Sequence, residues 1–202
     1  MSVVLNDEAS GSLVWHEAGF MDSAAADVLF ARLMEAPFVS EGSGRSSVAF
    51  GDAGLVYRYA GVERQANGWP DFLRPVAMEI LDRCDARFNF ALCNLYPNGR
   101  AWLGWHSDDE PEISGDVIAS LSLGAARDFD IRRTRDRIRV ARVALGHGSL
   151  LVMSGRTQRN YQHCVPKRTG CDRPRINLTF RRIRRRATSG ALAFPGDDEG
   201  AT

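Results

Sequence analysis

Lysine is almost missing from this chain of 202 residues: Lys167 is the only one, so arginine carries nearly all of the positive charge. A strong net charge is missing too, because 26 basic and 25 acidic residues leave +1, and global attraction alone does not tie such a chain to nucleic acid. There are four cysteines, Cys84, Cys93, Cys164 and Cys171, and none stands in C-x-x-C spacing. Reduced thiols are therefore expected rather than a disulfide framework or a zinc cluster. No apolar run reaches the roughly eighteen residues needed to span a bilayer. Met1 to Glu8 also lacks the basic-then-apolar layout of a signal peptide, so a cytoplasmic chain with no membrane partner is expected.

What is present is an ordinary globular composition, 44% hydrophobic and 25% charged, in a length that suits one core. Ser12–His16 reads as an edge strand, and Ser23 is placed to cap a helix through Val28, Leu29, Leu33 and Met34. Pro37-Phe38-Val39 is an apolar step best explained as a core contact. Glu41 to Ser47 is a small-residue loop expected to be mobile. Leu55–Tyr59 alternates, putting Tyr57 and Tyr59 on one strand face, and Trp69-Pro70 opens a second helix whose buried face is made by Phe72, Val76 and Ile80 with Leu73, Ala77 and Leu81. From Phe88 onward the pattern is strand after strand, over 117–123, 129–133, 137–145, 149–153, 160–165 and 175–183. The small, acidic stretch 187–202 reads as a disordered tail. Two helices leaning on many short antiparallel strands make an α+β, mainly β, chain with a sandwich or jelly-roll core.

The chemistry gathers at Trp105-His106-Ser107-Asp108-Asp109-Glu110. On an extended backbone side chains repeat every two residues, so His106 and Asp108 would project to one side. A second imidazole would complete a set of two histidines and one carboxylate, which suits Fe(II) and leaves coordination positions open. His147 sits in a glycine-flanked turn, whereas His163 sits in a predicted strand shortly before 175–181, so His163 is the expected third ligand. In Arg175-Ile176-Asn177-Leu178-Thr179-Phe180-Arg181 the odd positions are polar and the even ones apolar. The apolar face packs outward against the helices, and the polar face points inward, where it needs partners. Fe(II) with one aspartate keeps one positive charge and the two arginines add two more. A dicarboxylate such as 2-oxoglutarate offsets two of the three and chelates the iron through its keto acid end. Asn94 and Tyr96 share a strand face from which they could hydrogen-bond it.

These residues together, with Asn94-Leu95-Tyr96, His147-Gly148-Ser149-Leu150-Leu151, Arg45 and Gly51-Asp52-Ala53-Gly54-Leu55, make the chain resemble the AlkB family of Fe(II)- and 2-oxoglutarate-dependent dioxygenases, especially the branch with the animal DNA-repair homologues. The resemblance implies a double-stranded β-helix core over 88–186, preceded over 1–87 by a helical, nucleotide-recognising part packed on one sheet, the whole of 1–186 forming one domain. It implies His106, Asp108 and His163 as iron ligands, with Asn94, Tyr96, Arg175, Asn177, Thr179 and Arg181 around 2-oxoglutarate. Arg45, Tyr57, Tyr59 and Glu110 would meet the base, Glu110 against its exocyclic amine. The implied activity is hydroxylation of an N-methyl carbon of 1-methyladenine or 3-methylcytosine in DNA, with release of formaldehyde, succinate and CO2. The base must leave its stack to be reached. Methylated DNA, with RNA as the alternative, is the expected partner of a chain acting as a monomer. A protein hydroxylase and a non-catalytic nucleic-acid-binding module are the competing readings. The ligand choice has a direct test: Asp108→Ala and His163→Ala each abolish Fe(II)-dependent succinate formation, while His147→Ala retains it and still binds iron.

Overall fold

The computed structural model describes residues 1–59 and 61–185, without the side chain of Tyr59, so the expected tail at 187–202 lies outside the described residues. Along the chain, β1 (Ser2–Asp7) and β2 (Ser12–Glu17) lead into α1 (Ser23–Met34). Asp22, one residue before the expected Ser23, caps this helix by accepting from the Ala25 amide at 2.9 Å, and the helix buries Ala26, Leu29 and Leu33. There follow β3 (Val39–Ser40), β4 (Ser46–Gly51) and a hairpin of β5 (Val56–Tyr59) and β6 (Val62–Gln65). The second helix, α2 (Arg74–Cys84), begins after a turn closed by the Leu73 amide on the Pro70 carbonyl, a few residues later than Trp69-Pro70 suggests. The remainder is β7 (Phe90–Tyr96), β8 (Leu103–His106), β9 (Ile118–Gly124), β10 (Arg127–Arg133), β11 (Arg139–Leu145), β12 (Ser149–Gly155), a single turn α3 (Thr157–Asn160), β13 (Tyr161–Val165) and β14 (Arg175–Arg181).

The strands form an eight-stranded sheet in the order β1-β2-β12-β9-β14-β7-β4-β3, a four-stranded sheet β11-β10-β13-β8 and the separate β5-β6 pair. β14 is central, antiparallel to β9 on one side and β7 on the other. Its Ile176, Leu178 and Phe180 share one core cluster with Leu29 and Leu33 of α1, Ile80 of α2 and Leu73 just before it. The strand alternates, so Arg175, Asn177, Thr179 and Arg181 point to the opposite face, as their spacing requires. A second cluster joins Ile118, Leu151 and Met153 of the large sheet to Phe129, Ile131 and Val165 of the small one. The two sheets thus face each other as a double-stranded β-helix, mostly β and helix-covered on the outside of the large sheet, as expected. Among the described residues no helix is long and apolar enough to cross a membrane.

Phe72, expected on the buried face of the second helix, precedes α2 and is 39% exposed, and three further local readings change. The expected edge strand at Ser12–His16 is second from the edge, because β1 pairs outside it. The Pro37–Val39 step splits: Phe38 packs on the core while Val39 is 69% exposed. The loop expected to be mobile, Glu41 to Ser47, is instead a short 3-10 turn (42–44) leading into β4, with Arg45 and Ser47 buried.

A buried guanidinium closes the end of the barrel. Arg127 is 1% exposed, and its Nη atoms donate to the carbonyls of Asn98 at 3.2 Å, Ala101 at 2.8 Å and Pro166 at 2.7 Å. It ties the turn after β7 to the one after β13. The same turns approach so closely at Gly99 that a Cβ there would lie 2.0 Å from the Arg168 carbonyl oxygen. Arg127→Met, which keeps the aliphatic stem and strands these carbonyls, is expected to cost roughly 3 kcal/mol, seen as a lower urea midpoint. Arg139→Ala, at a side chain 54% exposed, should stay within about 0.5 kcal/mol.

Candidate active site

The polar face of β14 meets the small sheet at one cluster. His106 ends β8 and is the direct cross-strand partner of His163 on β13, with ring centroids 4.2 Å apart. Asp108 follows two residues later, and the three ligating groups have atoms all within 4.8 Å of one another. His106 Nε2 lies 3.8 Å from Asp108 Oδ1, and His163 Nε2 lies 3.9 Å from Asp108 Oδ2. The expectation that one strand would present both His106 and Asp108 needs correction, because β8 stops at His106. Beyond it the chain leaves the ladder: the Ser107 hydroxyl donates to the Tyr161 carbonyl at 3.0 Å, and the Asp108 amide donates to Gln158 Oε1 at 3.0 Å. Asp108 is brought to the imidazoles by α3 and β14 rather than by strand parity.

The protonation states suit metal binding. Hydrogen-bonded contact of His106 Nδ1 with the Gly104 carbonyl at 2.8 Å makes Nδ1 the protonated nitrogen and leaves Nε2 with its lone pair. Burial lowers the pKa of His106, and burial together with the neighbouring His106 pushes His163 down to about 3, so both stay neutral ligands. Burial would raise Asp108, but the Arg181 guanidinium 2.8 Å away, helped by the two imidazoles, holds it at about 2 and keeps it anionic. Two neutral imidazoles and a carboxylate are the donor set for a divalent first-row ion with open positions.

The cavity beside this triad holds a cation without a counterion. Arg175 is 1% exposed; its Nη2 donates to Ser122 Oγ at 2.9 Å, while Nε and Nη1 have no hydrogen-bond partner and no carboxylate among the described residues pairs with it. Burial pushes its pKa down to about 10. Its guanidinium lies over the Tyr96 ring at 5.1 Å, and Arg127 lies over the same ring at 5.7 Å. Asn94 lines this cavity with an unpartnered Oδ1. A buried lone guanidinium with spare donors is a receptor for a carboxylate, so the residues present fit the distal end of 2-oxoglutarate.

Of the other expected residues, Asn177 and Thr179 line the cavity but spend their bonds on each other and on Ser120. Arg45 lines it from β4's leading edge, and Tyr57, fully buried, lies under Arg181 with 5.1 Å from guanidinium carbon to ring centroid. Glu110 sits in the loop after β8; burial first, then Asp108, raises its pKa. The Tyr59 side chain lies outside the described residues. Several contributors escaped the sequence reading: Gln158, which holds the Asp108 amide, Phe129, stacked 5.1 Å from His163, and Ser120 and Ser122, which support the β14 polar row. The two serines had a signal, the same alternation in β9 as in β14.

The chain is similar to known proteins in the same terms. It is 40% identical to mouse DNA oxidative demethylase ALKBH2 over 147 residues, 69% of this chain and 62% of that protein. It is 36% identical to human alpha-ketoglutarate-dependent dioxygenase alkB homolog 3 over 183 residues, 82% of this chain and 64% of that protein. The chain thus spans a little under two thirds of the length of these curated relatives. A solved structure of OsALKBH1 superposes with a TM-score of 0.65 at 16% identity, covering 89% of this chain and 99% of that one, which supports the fold. The family model described as the 2OG-Fe(II) oxygenase superfamily matches residues 26–181, from α1 to the last residue of β14, and so takes in every element that builds the triad and the arginine row. The chain belongs to the 2OG-Fe(II) oxygenase superfamily.

Proposed function

We propose that this protein is an oxidative demethylase of N-alkylated bases in DNA, acting on 1-methyladenine and 3-methylcytosine with Fe(II), dioxygen and 2-oxoglutarate. The observation that carries the reading is the buried, counterion-free Arg175 on the same cavity wall as the His106, Asp108 and His163 cluster. Similarity to a relative named DNA oxidative demethylase supports the choice of substrate. Bound there, iron and 2-oxoglutarate would supply the oxidising chemistry: one oxygen atom enters an N-methyl C–H bond as 2-oxoglutarate becomes succinate and CO2. The hydroxymethyl group then leaves the nitrogen as formaldehyde.

The chain's own residues do the binding and positioning. His106 and His163 offer neutral Nε2 atoms, and Asp108 offers the single negative charge. Arg181 holds Asp108 in place through its 2.8 Å contact and adds a positive wall next to the keto acid end. Arg175 takes the distal carboxylate, with Tyr96 and Asn94 beside it. Tyr57 lines the cavity as well, and in this reading the Glu110 carboxyl, from the loop after β8, faces the exocyclic amine of a base held over the metal site. Arg45 and Tyr59 complete the base pocket in this reading.

Succinate formation on single-stranded oligonucleotides tests it. Oligonucleotides carrying 1-methyladenine or 3-methylcytosine should stimulate turnover and lose the methyl mass, whereas unmethylated ones should not. Turnover confined to transfer RNA would move the substrate to RNA, and no turnover on any methylated strand would overturn the proposal. Arg175→Met should raise the KM for 2-oxoglutarate by about a hundredfold, the loss expected for a buried bidentate charge contact. Arg175→Lys should not restore it, because an ammonium lacks the planar fork.

A further inference from the structure

The β5-β6 hairpin is outside both large sheets, and its contact with the body is the least expected feature of the fold. Its apolar side rests through Leu55, Tyr57 and Ala66 on Ala49, Phe90 and Leu92. Its other attachment is ionic. Arg64 of β6, 8% exposed, donates from Nε to Glu41 at 2.9 Å and to Ser47 Oγ at 3.2 Å, and its Nη2 pairs with the same Glu41 oxygen. The second Glu41 oxygen accepts from Arg45 Nη2 at 2.7 Å, and Ser47 also donates to Glu41. Arg45 in turn lines the catalytic cavity together with Tyr96, the residue that Arg175 covers. One carboxylate thus joins the hairpin to the cavity wall. Burial would raise its pKa, but Ser47, Arg64 and Arg45 together hold it low and charged.

We propose that Glu41 is a positioning residue: it clips the hairpin, through Arg64, to the Arg45 wall and so fixes the spacing between Tyr57 on the hairpin and the metal triad. This rests on the reading of that space as a nucleobase pocket. Without the carboxylate, Arg45 and Arg64 lose the anion between them, and the hairpin, held then by its apolar side and the remaining Arg64 hydrogen bonds, moves outward. The base pocket widens while the triad and Arg175, anchored on the two sheets, stay in place. The effect therefore falls on substrate binding and leaves co-substrate binding alone.

The test uses the full chain with Glu41→Gln, Arg64→Gln and the double variant. The hairpin itself is read by trypsin cleavage after the exposed Arg58. The pocket is read by KM for a 1-methyladenine oligonucleotide, and the anchored part by kcat and by calorimetric 2-oxoglutarate binding with Mn(II) in place of iron. For Glu41→Gln we expect cleavage and KM each to rise about tenfold while kcat and 2-oxoglutarate affinity stay within about twofold. Arg64→Gln should behave the same, and the double variant should add little to either single one, because the two residues form one contact. Unchanged cleavage overturns the proposal. So does a joint fall of kcat and 2-oxoglutarate affinity with the rise in KM, which marks general loosening. If the wild type turns over no methylated strand, the substrate reading falls while cleavage and 2-oxoglutarate binding still decide the clip.

Discussion

Burying arginine is the constraint on which this structure depends. Arg175, Arg181 and Arg127 are each at most 4% exposed, and a guanidinium removed from water is tolerated only where fixed donors, acceptors or anions replace the water. Each is satisfied differently. Arg127 is spent on backbone carbonyls and serves as a staple, and Arg181 is neutralised by Asp108. Arg175 lines the cavity with no carboxylate partner among the described residues. The difference among three chemically identical side chains separates scaffold, metal support and ligand receptor.

The same logic links the metal cluster to the sheets. The triad lies between the two faces of the β-helix, where the low polarity keeps both imidazoles neutral and would also discharge Asp108 if Arg181 were absent. The central strand β14 therefore contributes twice, with Arg181 paired to Asp108 and Arg175 on the cavity wall without a carboxylate partner among the described residues. Its apolar residues, locked against α1 and α2, hold both arginines in register. The hairpin is attached by the contact of Leu55, Tyr57 and Ala66 with the body and by the polar cluster of Arg64, Glu41 and Ser47.

Much of the site was legible in residues alone because strand parity is a strong rule. The alternation of β14 separated core from cavity, and the type and spacing of His106, Asp108 and His163 named the ligands. Parity failed where the backbone left the ladder: β8 ends at His106, and side chains of α3 and β14 rather than strand geometry aim Asp108. It failed again for β4, where Ser46–Gly51 is buried on both faces and shows no alternation, and for β1, none of whose residues is fully buried. The stretch Glu41 to Ser47 carries no local sign of the ion pair that Glu41 makes, because Arg64 lies 23 residues further along the chain.

By itself the sequence determined the periodicities, and with them which side chains each strand sends to the core and which to the interior, since that depends only on the two-residue repeat of an extended chain. It also determined the chemical types available to hold a metal and a dicarboxylate. Tertiary structure alone decided which arginine is neutralised by a carboxylate and which is left without one. It likewise decided how Asp108 reaches the histidines and what holds the hairpin shut. Those outcomes depend on distances between segments far apart in the chain and on the absence of water around them, and neither is written in the order of residues.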